Sequence, residues 1–441
     1  MAAPAAFAQG LPVIPGAAGF GITTPAGRGG QVYKVTNLND SGPGSLRQCA
    51  EASGPRVCVF EVSGAIELKP DAVINVRSGN LTIAGQTAPS PGIEIRNAGL
   101  YIHASDVLVQ HIAIRPGDRP GPNPGNRDAL QIEGDDQITT NVVIDHVSLT
   151  WSVDEVATNY FGWDNVTFRH VIFAEPLNNS IHPQGGHAFG VLMYDNSGRG
   201  RVSFIGNLFA NMRDRAPRSR TTKLVMVNNL AYNNTELHTT LSTLNGVAGD
   251  ASLVGNVFID GPMARRWRKS IWFEMLGSGS RIHLNDNVGP EGTDWALVSN
   301  DTRVSTSALR ADSRPIWPSG LQARPNGQVR DWVLANVGSR PADRAAPDRR
   351  IINDVRNGTG RLVDCISGCS NSVGGWPSLT SRTRTLNLPA NPSGDSDGDG
   401  YTNLEEWLHA LAAEVEGRAP IVTDTPPAPP TNLRVDAASG W

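Results

Sequence analysis

Two groups of charged residues have the types and spacing needed for chemistry. The first is a cluster of three arginines within six residues: Arg215, Arg218 and Arg220. The second lies upstream and is acidic: Asp128, Asp154 and Glu155. Arginine stays charged and grips carboxylates through two parallel hydrogen bonds, whereas carboxylate oxygens hold hard cations. Together the two groups predict a site where a polyanionic substrate bearing carboxylates is bridged to the protein by calcium.

The composition limits which partners are plausible. The chain has 441 residues and a net charge of −4, from 38 basic and 42 acidic residues. It lacks the basic footprint of a nucleic-acid binder and any run of 18 apolar residues that could span a membrane. We therefore expect a monomer with neither of those partners. The small-residue pattern Ala6-Phe7-Ala8 is compatible with a signal-peptide remnant or with an ordinary chain start.

Four cysteines fall in two close pairs. The spacing favours disulfides between Cys49 and Cys58 and between Cys365 and Cys369, and hence an oxidising, secreted or periplasmic location. A zinc site is the rival interpretation. It is disfavoured because the pairs lie far apart and lack histidines at the usual spacing.

A repeated strand phrase indicates the fold class. Each copy alternates apolar residues and ends at a histidine or asparagine, namely His111, His146, His170, Asn207, Asn229, Asn256 and Asn287. Because the spacing is unequal, the pattern predicts coils with loops of variable length. We predict an all-β protein, a right-handed single-stranded parallel β-helix in which these end residues stack as a ladder. A β-sandwich is the alternative, but sandwiches favour short hairpins.

The domain organisation follows from this pattern. We predict an N-terminal arm over 1–18, the β-helix over 19–390 with an outer-packed segment near 296–375, and a proline-rich linker over 416–441. Between the last two, 391–415 matches a calcium loop followed by a helix over 404–413. Its predicted ligands are Asp395, Asp397, Asp399, Tyr401, Asn403 and Glu406. A single loop of this kind favours a structural calcium rather than a sensor.

The chain resembles the bacterial pectate lyases over roughly residues 19 to 411. The resemblance is carried by Gly19-Phe-Gly, the segment 36–47, the segment 84–89, Asp128-Ala-Leu, Ile144-Asp-His-Val and Arg215-Ala-Pro-Arg218. It implies a parallel β-helix that cleaves polygalacturonate by calcium-assisted β-elimination. Such cleavage removes the C5 proton with an arginine and leaves a 4,5-unsaturated uronate.

The resemblance also implies roles for particular residues. Asp128 and Asp154 are similar to calcium ligands, and Arg215 is similar to the base. Arg218 and Arg220 correspond to carboxylate or structural partners. Where the family has a further acidic ligand this chain has Thr158, so either Glu155 substitutes for that ligand or the calcium depends more on the substrate; we assign Glu155. No lysine matches the family's substrate contact; His182 or His187 is the replacement, and we assign His187.

Other functions are compatible with parts of the pattern. A pectin lyase would act on methyl-esterified substrate. A β-helix hydrolase needs paired carboxylates such as Asp135 and Asp136, which have no partner in a later coil. A non-catalytic adhesin would keep the coils but have no use for the arginines, which would then be solvated loop charges. Trp151 and Trp163 are either sugar platforms or core residues.

Overall fold

The chain winds into a parallel β-helix whose coils stack strand upon strand. The computed structural model describes residues 10–419, without the side chains at 135 and 136. Successive coils pair in parallel register; for example, Leu192 pairs with Arg218 and Arg218 with Thr240. This confirms the predicted fold class. Residues 1–9 of the arm and 420–441 of the linker lie outside the described part, as do the side chains proposed for a hydrolase.

Three sheets run along the coiled body. The first, called the site sheet, contains Ile74–Val76, Leu100–Ile102, the start of Leu130–Asp145, the start of Glu155–Arg169, Phe189–Tyr194, Arg218–Arg220, Thr239–Ser242, Ile271–Met275 and Val298–Asn300. The two long strands each bend partway, near 134–139 in Leu130–Asp145 and near 161–163 in Glu155–Arg169, so that their second halves belong to the next sheet. Each bend therefore links two faces of the body without breaking the strand.

The other two sheets complete each coil. The second sheet contains Gln31–Val35, Arg56–Phe60, Leu81–Ala84, Val107–Gln110, the two second halves, Arg201–Ile205, Lys223–Val227, Asp250–Val254 and Arg281–Asn285. The third contains Val62–Glu67, Ile93–Arg96, Ile112–Arg115, Ser148–Thr150, Ile172–Ala174, Leu208–Ala210, Leu230–Tyr232, Val257–Ile259, Val288–Gly289 and Gly292–Thr293, with Arg382–Thr383 antiparallel at its edge.

α-Helices pack against the β-helix. The α-helices within the described residues are Leu46–Ala50, Thr306–Leu309, Asn326–Asn336, Ala346–Asn357 and Asn403–Glu416. Asn326–Asn336 and Ala346–Asn357 bury Val333 and Ile351 against the outer side of the third sheet. No helix within 10–419 is both long and apolar enough to cross a membrane. The two predicted disulfides, Cys49–Cys58 and Cys365–Cys369, are both formed.

Apolar side chains fill the interior as stacks. Phe168 lies over Phe204 with ring centroids 5.1 Å apart, and Phe173 lies over Phe209 at 5.0 Å. Trp151 and Trp163 are almost completely buried, which makes them core residues and not sugar platforms. Because each coil covers the apolar face of the one before it, the core runs the length of the body.

The predicted ladder of stacked end residues is present, but its histidines and asparagines occupy different positions within the coil. The rings of His111, His146 and His170 contact one another in series, with centroids 5.2 and 4.6 Å apart. Side-chain amides join Asn207, Asn229, Asn256 and Asn287, each bond 2.9 Å long. Strand register aligns His170 with Gly206, so the asparagines fall one residue later in the coil. The histidines take the left-handed turn conformation, and the asparagine amides satisfy backbone groups behind it.

Candidate active site

One corner of the body brings the site residues together. The turns that lead from the third sheet into the site sheet carry Asp128, Asp154, His187 and Arg215. These turns are hydrogen-bonded to one another: the Asp154 amide donates to the Arg127 carbonyl at 3.3 Å, and the Gly190 amide to the Asp214 carbonyl at 3.0 Å. Since stacked strands lie only about 4.8 Å apart, residues distant in sequence become neighbours here.

A cleft of about 720 Å³ opens along this corner. Five of the predicted site residues line it: Asp128, Asp154, Glu155, His187 and Arg215. Further lining comes from outward-facing positions of the site sheet, among them Tyr101, Gln131, Thr158 and Tyr160. The lining residues belong to successive coils, so the long dimension of the cleft follows the body axis.

The three carboxylates of the acidic group lie close together and their charges repel one another. Asp128, Asp154 and Glu155 each offer an oxygen within 4.8 Å of the others. Burial and the neighbouring charge of Asp154 raise the pKa of Asp128 well above its usual range, with Arg215 acting in the opposite direction. Crowded buried carboxylates of this kind are neutralised by a hard cation with oxygen ligands. The residues therefore fit a calcium ion, as their types predicted.

Arg215 lies against this acidic group. Its guanidinium forms an ion pair with Glu155 and covers the ring of Phe189 at 4.1 Å from the centroid. Its Nε is buried and has no hydrogen-bond partner among the described residues. Burial, and then the charge of Arg218, lower the pKa of Arg215 to about 10, although Asp154 and Asp128 oppose the shift. The group is thus closer to losing its proton than an ordinary arginine.

The backbone of Arg215 packs closely against the neighbouring strand at residues 190 and 191. Arg215 has a left-handed φ of 69°. Its carbonyl accepts a hydrogen bond of 2.6 Å from the Val191 amide. A Cβ at Gly190 would come within 2.3 Å of that carbonyl oxygen and of the Met212 sulfur. Glycine at 190 therefore allows the arginine turn to settle directly on the neighbouring strand.

Two histidines also line the cleft. The Nε2 of His187 hydrogen-bonds Oδ1 of Asp154 at 2.7 Å, and His182 lies 3.7 Å from the same oxygen. The two rings stack with centroids 3.8 Å apart. Burial and then His187 lower the pKa of His182, so it stays neutral near neutral pH. His187 thus contacts the acidic group directly and faces the cleft.

The side chains of Arg218 and Arg220 lie outside the cleft, unlike that of Arg215. Neither is among the described residues that line the cleft. Arg218 forms an ion pair with Glu274 and lies over the Trp272 ring at 5.9 Å. Arg220 lies over the Tyr194 ring at 5.4 Å. Alternate residues of a strand share a face, so both arginines stand on the outer face of the site sheet, one step beyond the cleft.

Some lining residues were not predicted from sequence. Phe189 covers Arg215, and Tyr160 stacks on Tyr194 with centroids 4.8 Å apart and an interplanar angle of 15°. His103 lies 3.9 Å from Glu133 on the neighbouring coils. The available signal was the alternation of outward positions along each strand. That signal becomes useful only once the register between coils is known.

The C-terminal loop brings its acidic residues together. Asp395, Asp397 and Asp399 offer oxygens within 4.8 Å of one another. Burial and these three carboxylates raise the pKa of Glu406, which places it beside them. Asp395 accepts hydrogen bonds from the amides of Gly398 and Gly400 at 2.7 and 3.0 Å. The helix that follows begins at Asn403 and ends at Glu416, so it is longer than predicted at both ends.

Comparisons with known proteins identify the family. The chain is 36% identical over 438 residues to a probable pectate lyase C of Aspergillus fumigatus, covering 92% of this chain and 96% of that protein. It is 30% identical over 429 residues to the Aspergillus terreus protein of the same name, covering 91% and 94%. No protein-family model matches the chain.

Solved structures agree at the level of the fold. The major allergen from cedar pollen aligns with a TM-score of 0.52 and 19% identity, covering 72% of this chain and 91% of that one. A pectate lyase bound to a hexasaccharide aligns with a TM-score of 0.51 and 13% identity, covering 73% and 96%. At such low identity these likenesses support only the architecture.

The chain belongs to the pectate lyase family, and it is an enzyme of that class. The relatives that match most of its length are fungal, so the expected likeness to bacterial members in particular is not borne out. The cleft at the corner of the site sheet is the candidate active site of this lyase.

Proposed function

We propose that this enzyme cleaves polygalacturonate by calcium-assisted β-elimination, with Arg215 as the base. The observation that carries the proposal is the arrangement in the cleft. A partly desolvated guanidinium and three carboxylates converge there from three coils. This arrangement suits a substrate whose own carboxylates must be neutralised and whose C5 proton must be removed. A relative of the same fold is described as bound to a hexasaccharide.

Asp128, Asp154 and Glu155 would hold the calcium. When bound, the ion neutralises the uronate carboxylate and thereby acidifies the adjacent C–H bond. Glu155 also pairs with Arg215, so it links the acidic group to the base. Phe189 covers one face of the guanidinium and limits its access to water. His187 fixes the Asp154 carboxylate through its hydrogen bond and, because it lines the cleft, would contact the substrate.

The proton transfer proceeds at Arg215. Its neutral guanidine accepts the C5 proton, the released electron pair forms the C4–C5 double bond, and the C4–O bond breaks. The leaving oxygen then takes a proton, so the products are a new reducing end and a 4,5-unsaturated uronate. Arg218 and Arg220 lie on the outer face of the site sheet beside this position. Arg218 is paired with Glu274, so Arg220 would add the larger share of positive potential along the substrate chain.

The test is product formation by the native protein and by Arg215→Ala. We expect ultraviolet absorbance from the unsaturated product with polygalacturonate and calcium, little with a chelator, and about a thousandfold less with Arg215→Ala. Arg356→Gln, a loss of the same charge on Ala346–Asn357, is the matched control. Retained turnover in Arg215→Ala would refute the base. Reducing ends without absorbance would indicate hydrolysis, and preference for methyl-esterified substrate a pectin lyase.

We also propose that the enzyme works outside the cytoplasm. Both disulfides lie within the described fold, and such bonds form and persist in oxidising compartments. Fractionation of cells expressing the natural gene should find the activity in the medium or periplasm. Activity confined to the cytoplasm, with free thiols at all four cysteines, would contradict this location.

A further inference from the structure

A basic and aromatic segment lies beyond the cleft and has no assigned role. Arg265, Trp267 and Lys269 are exposed at alternate positions, and Trp267 is 50% exposed. The intervening arginines are neutralised: Arg266 pairs with Asp260 and Glu291, and Arg268 pairs with Asp301. Neither Arg265 nor Lys269 forms an ion pair within residues 10–419. We call these three exposed residues the 265–269 strip.

The strip lies on the same corner as Arg215. The amides of Arg265 and Trp267 donate to the carbonyls of Thr235 and Glu236, at 2.8 and 3.3 Å. The Glu236 amide in turn donates to the Arg213 carbonyl at 2.8 Å. The turn holding Arg215, the turn after it and the turn holding Trp267 are therefore stacked directly. The strip continues the line of turns that supplies every predicted cleft residue.

The register between strands gives the distance along the body axis from Arg215 to the 265–269 strip. Arg218 pairs with Thr240, and Thr240 pairs with Trp272, so the strand after the strip lies two coils beyond Arg218. At about 4.8 Å per coil, the separation along the body axis is about 10 Å. A substrate bound over Arg215 reaches the strip only if its chain extends about 10 Å, or two coil spacings, beyond that position.

The side chains between Arg218 and the strip contact one another. Trp267 meets the Trp272 ring edge-to-face with centroids 5.1 Å apart. The guanidinium of Arg218 lies over Trp272 at 5.9 Å, and that of Arg268 over Trp267 at 4.5 Å. Aromatic rings and guanidiniums thus connect Arg218 to the strip. Carboxylates accompany these guanidiniums, Glu274 beside Arg218 and Asp301 beside Arg268, so the unpaired positive charge here is that of Arg265 and Lys269.

We propose that the 265–269 strip is a distal subsite for the uronate units of a long substrate chain, an inference that rests on the proposed function. The Trp267 ring offers an apolar face to a sugar ring, and the unpaired Arg265 and Lys269 match carboxylates that recur along such a polymer. Occupancy by polyuronate follows from charge complementarity and from continuity with the cleft. The subsite favours longer chains, because only chains with enough units on this side of Arg215 reach both places.

The experiment compares long polygalacturonate with trigalacturonate. For Trp267→Ala we expect the KM on long chains, divided by the KM on trigalacturonate, to rise about fivefold. Arg265→Gln combined with Lys269→Gln should raise the same ratio, and added salt should shrink that effect. Arg356→Gln removes a charge away from this corner and should leave the ratio unchanged. An unchanged ratio in both strip variants would overturn the subsite.

A binding measurement distinguishes failure of the subsite from failure of the proposed elimination mechanism. In a native protein that yields no unsaturated product, the elimination mechanism is wrong. Trp267→Ala would then still weaken polygalacturonate binding about fivefold in titration calorimetry if the strip is a subsite. Native product formation together with unchanged KM ratio and unchanged binding would eliminate the strip alone. A neutral galactan of equal length should not bind the strip.

Discussion

Gly190 offers a test of whether catalysis depends on the placement of the Arg215 turn. Gly190→Ala introduces a Cβ only 2.3 Å from the Arg215 carbonyl oxygen and from the Met212 sulfur. Ordinary carbon contacts begin near 3.4 Å. The turn or the strand must therefore shift by about 1 Å, because neither contact involves the free end of a surface side chain.

Such a shift has two measurable costs. Overpacking of a filled site costs about 1–3 kcal/mol in the free energy of unfolding, which for a chain of this size lowers Tm by roughly 2 °C. A displacement of about 1 Å in a reacting group costs about a hundredfold in rate. We therefore expect kcat on polygalacturonate to fall far more than the small loss of stability would explain.

The assay is the rate of ultraviolet absorbance increase, with Tm from calorimetry on the same samples. Gly327→Ala is the matched control, because a Cβ there meets no atom within 4 Å and the position lies inside the helix Asn326–Asn336. It should leave kcat unchanged and Tm equal or slightly higher. If Gly190→Ala keeps native kcat at native Tm, the close approach does not position Arg215.

Two further predictions concern the C-terminal segment. Burial alone would raise the pKa of Glu416, but His146 and His111 beside it lower the value from 4.5 to about 2. Its contribution of about 3 kcal/mol is therefore complete above pH 4.5 and is lost as pH falls toward 2. Thermal melts of Glu416→Gln should show lower Tm at pH 7 and less loss on acidification; parallel melting curves at every pH would contradict this. We also propose that the loop after Asp395 binds calcium structurally. A chelator should lower the native Tm, and Asp397→Ala should remove that response, whereas the exposed Asp331→Ala keeps it.

The sequence was sufficient for features set by local pattern. The alternating strand phrase predicted the coils, because strand periodicity and turn residues act within a few positions. Close cysteine spacing predicted both disulfides. The grouping of Asp128, Asp154, Glu155, His187 and Arg215 in one cleft was also anticipated, through the resemblance to pectate lyases.

Tertiary structure alone decided the features that depend on alignment between coils. Loops of unequal length hide which residues are stacked, so sequence could not show that the asparagine ladder is displaced by one residue from the histidines. It could not show that Arg218 turns toward Glu274, that Phe189 covers Arg215, or that Trp267 continues the line of the cleft. Local spacing determines which residues form a strand or turn. Contacts across the stack depend on register, and register results from packing the whole body.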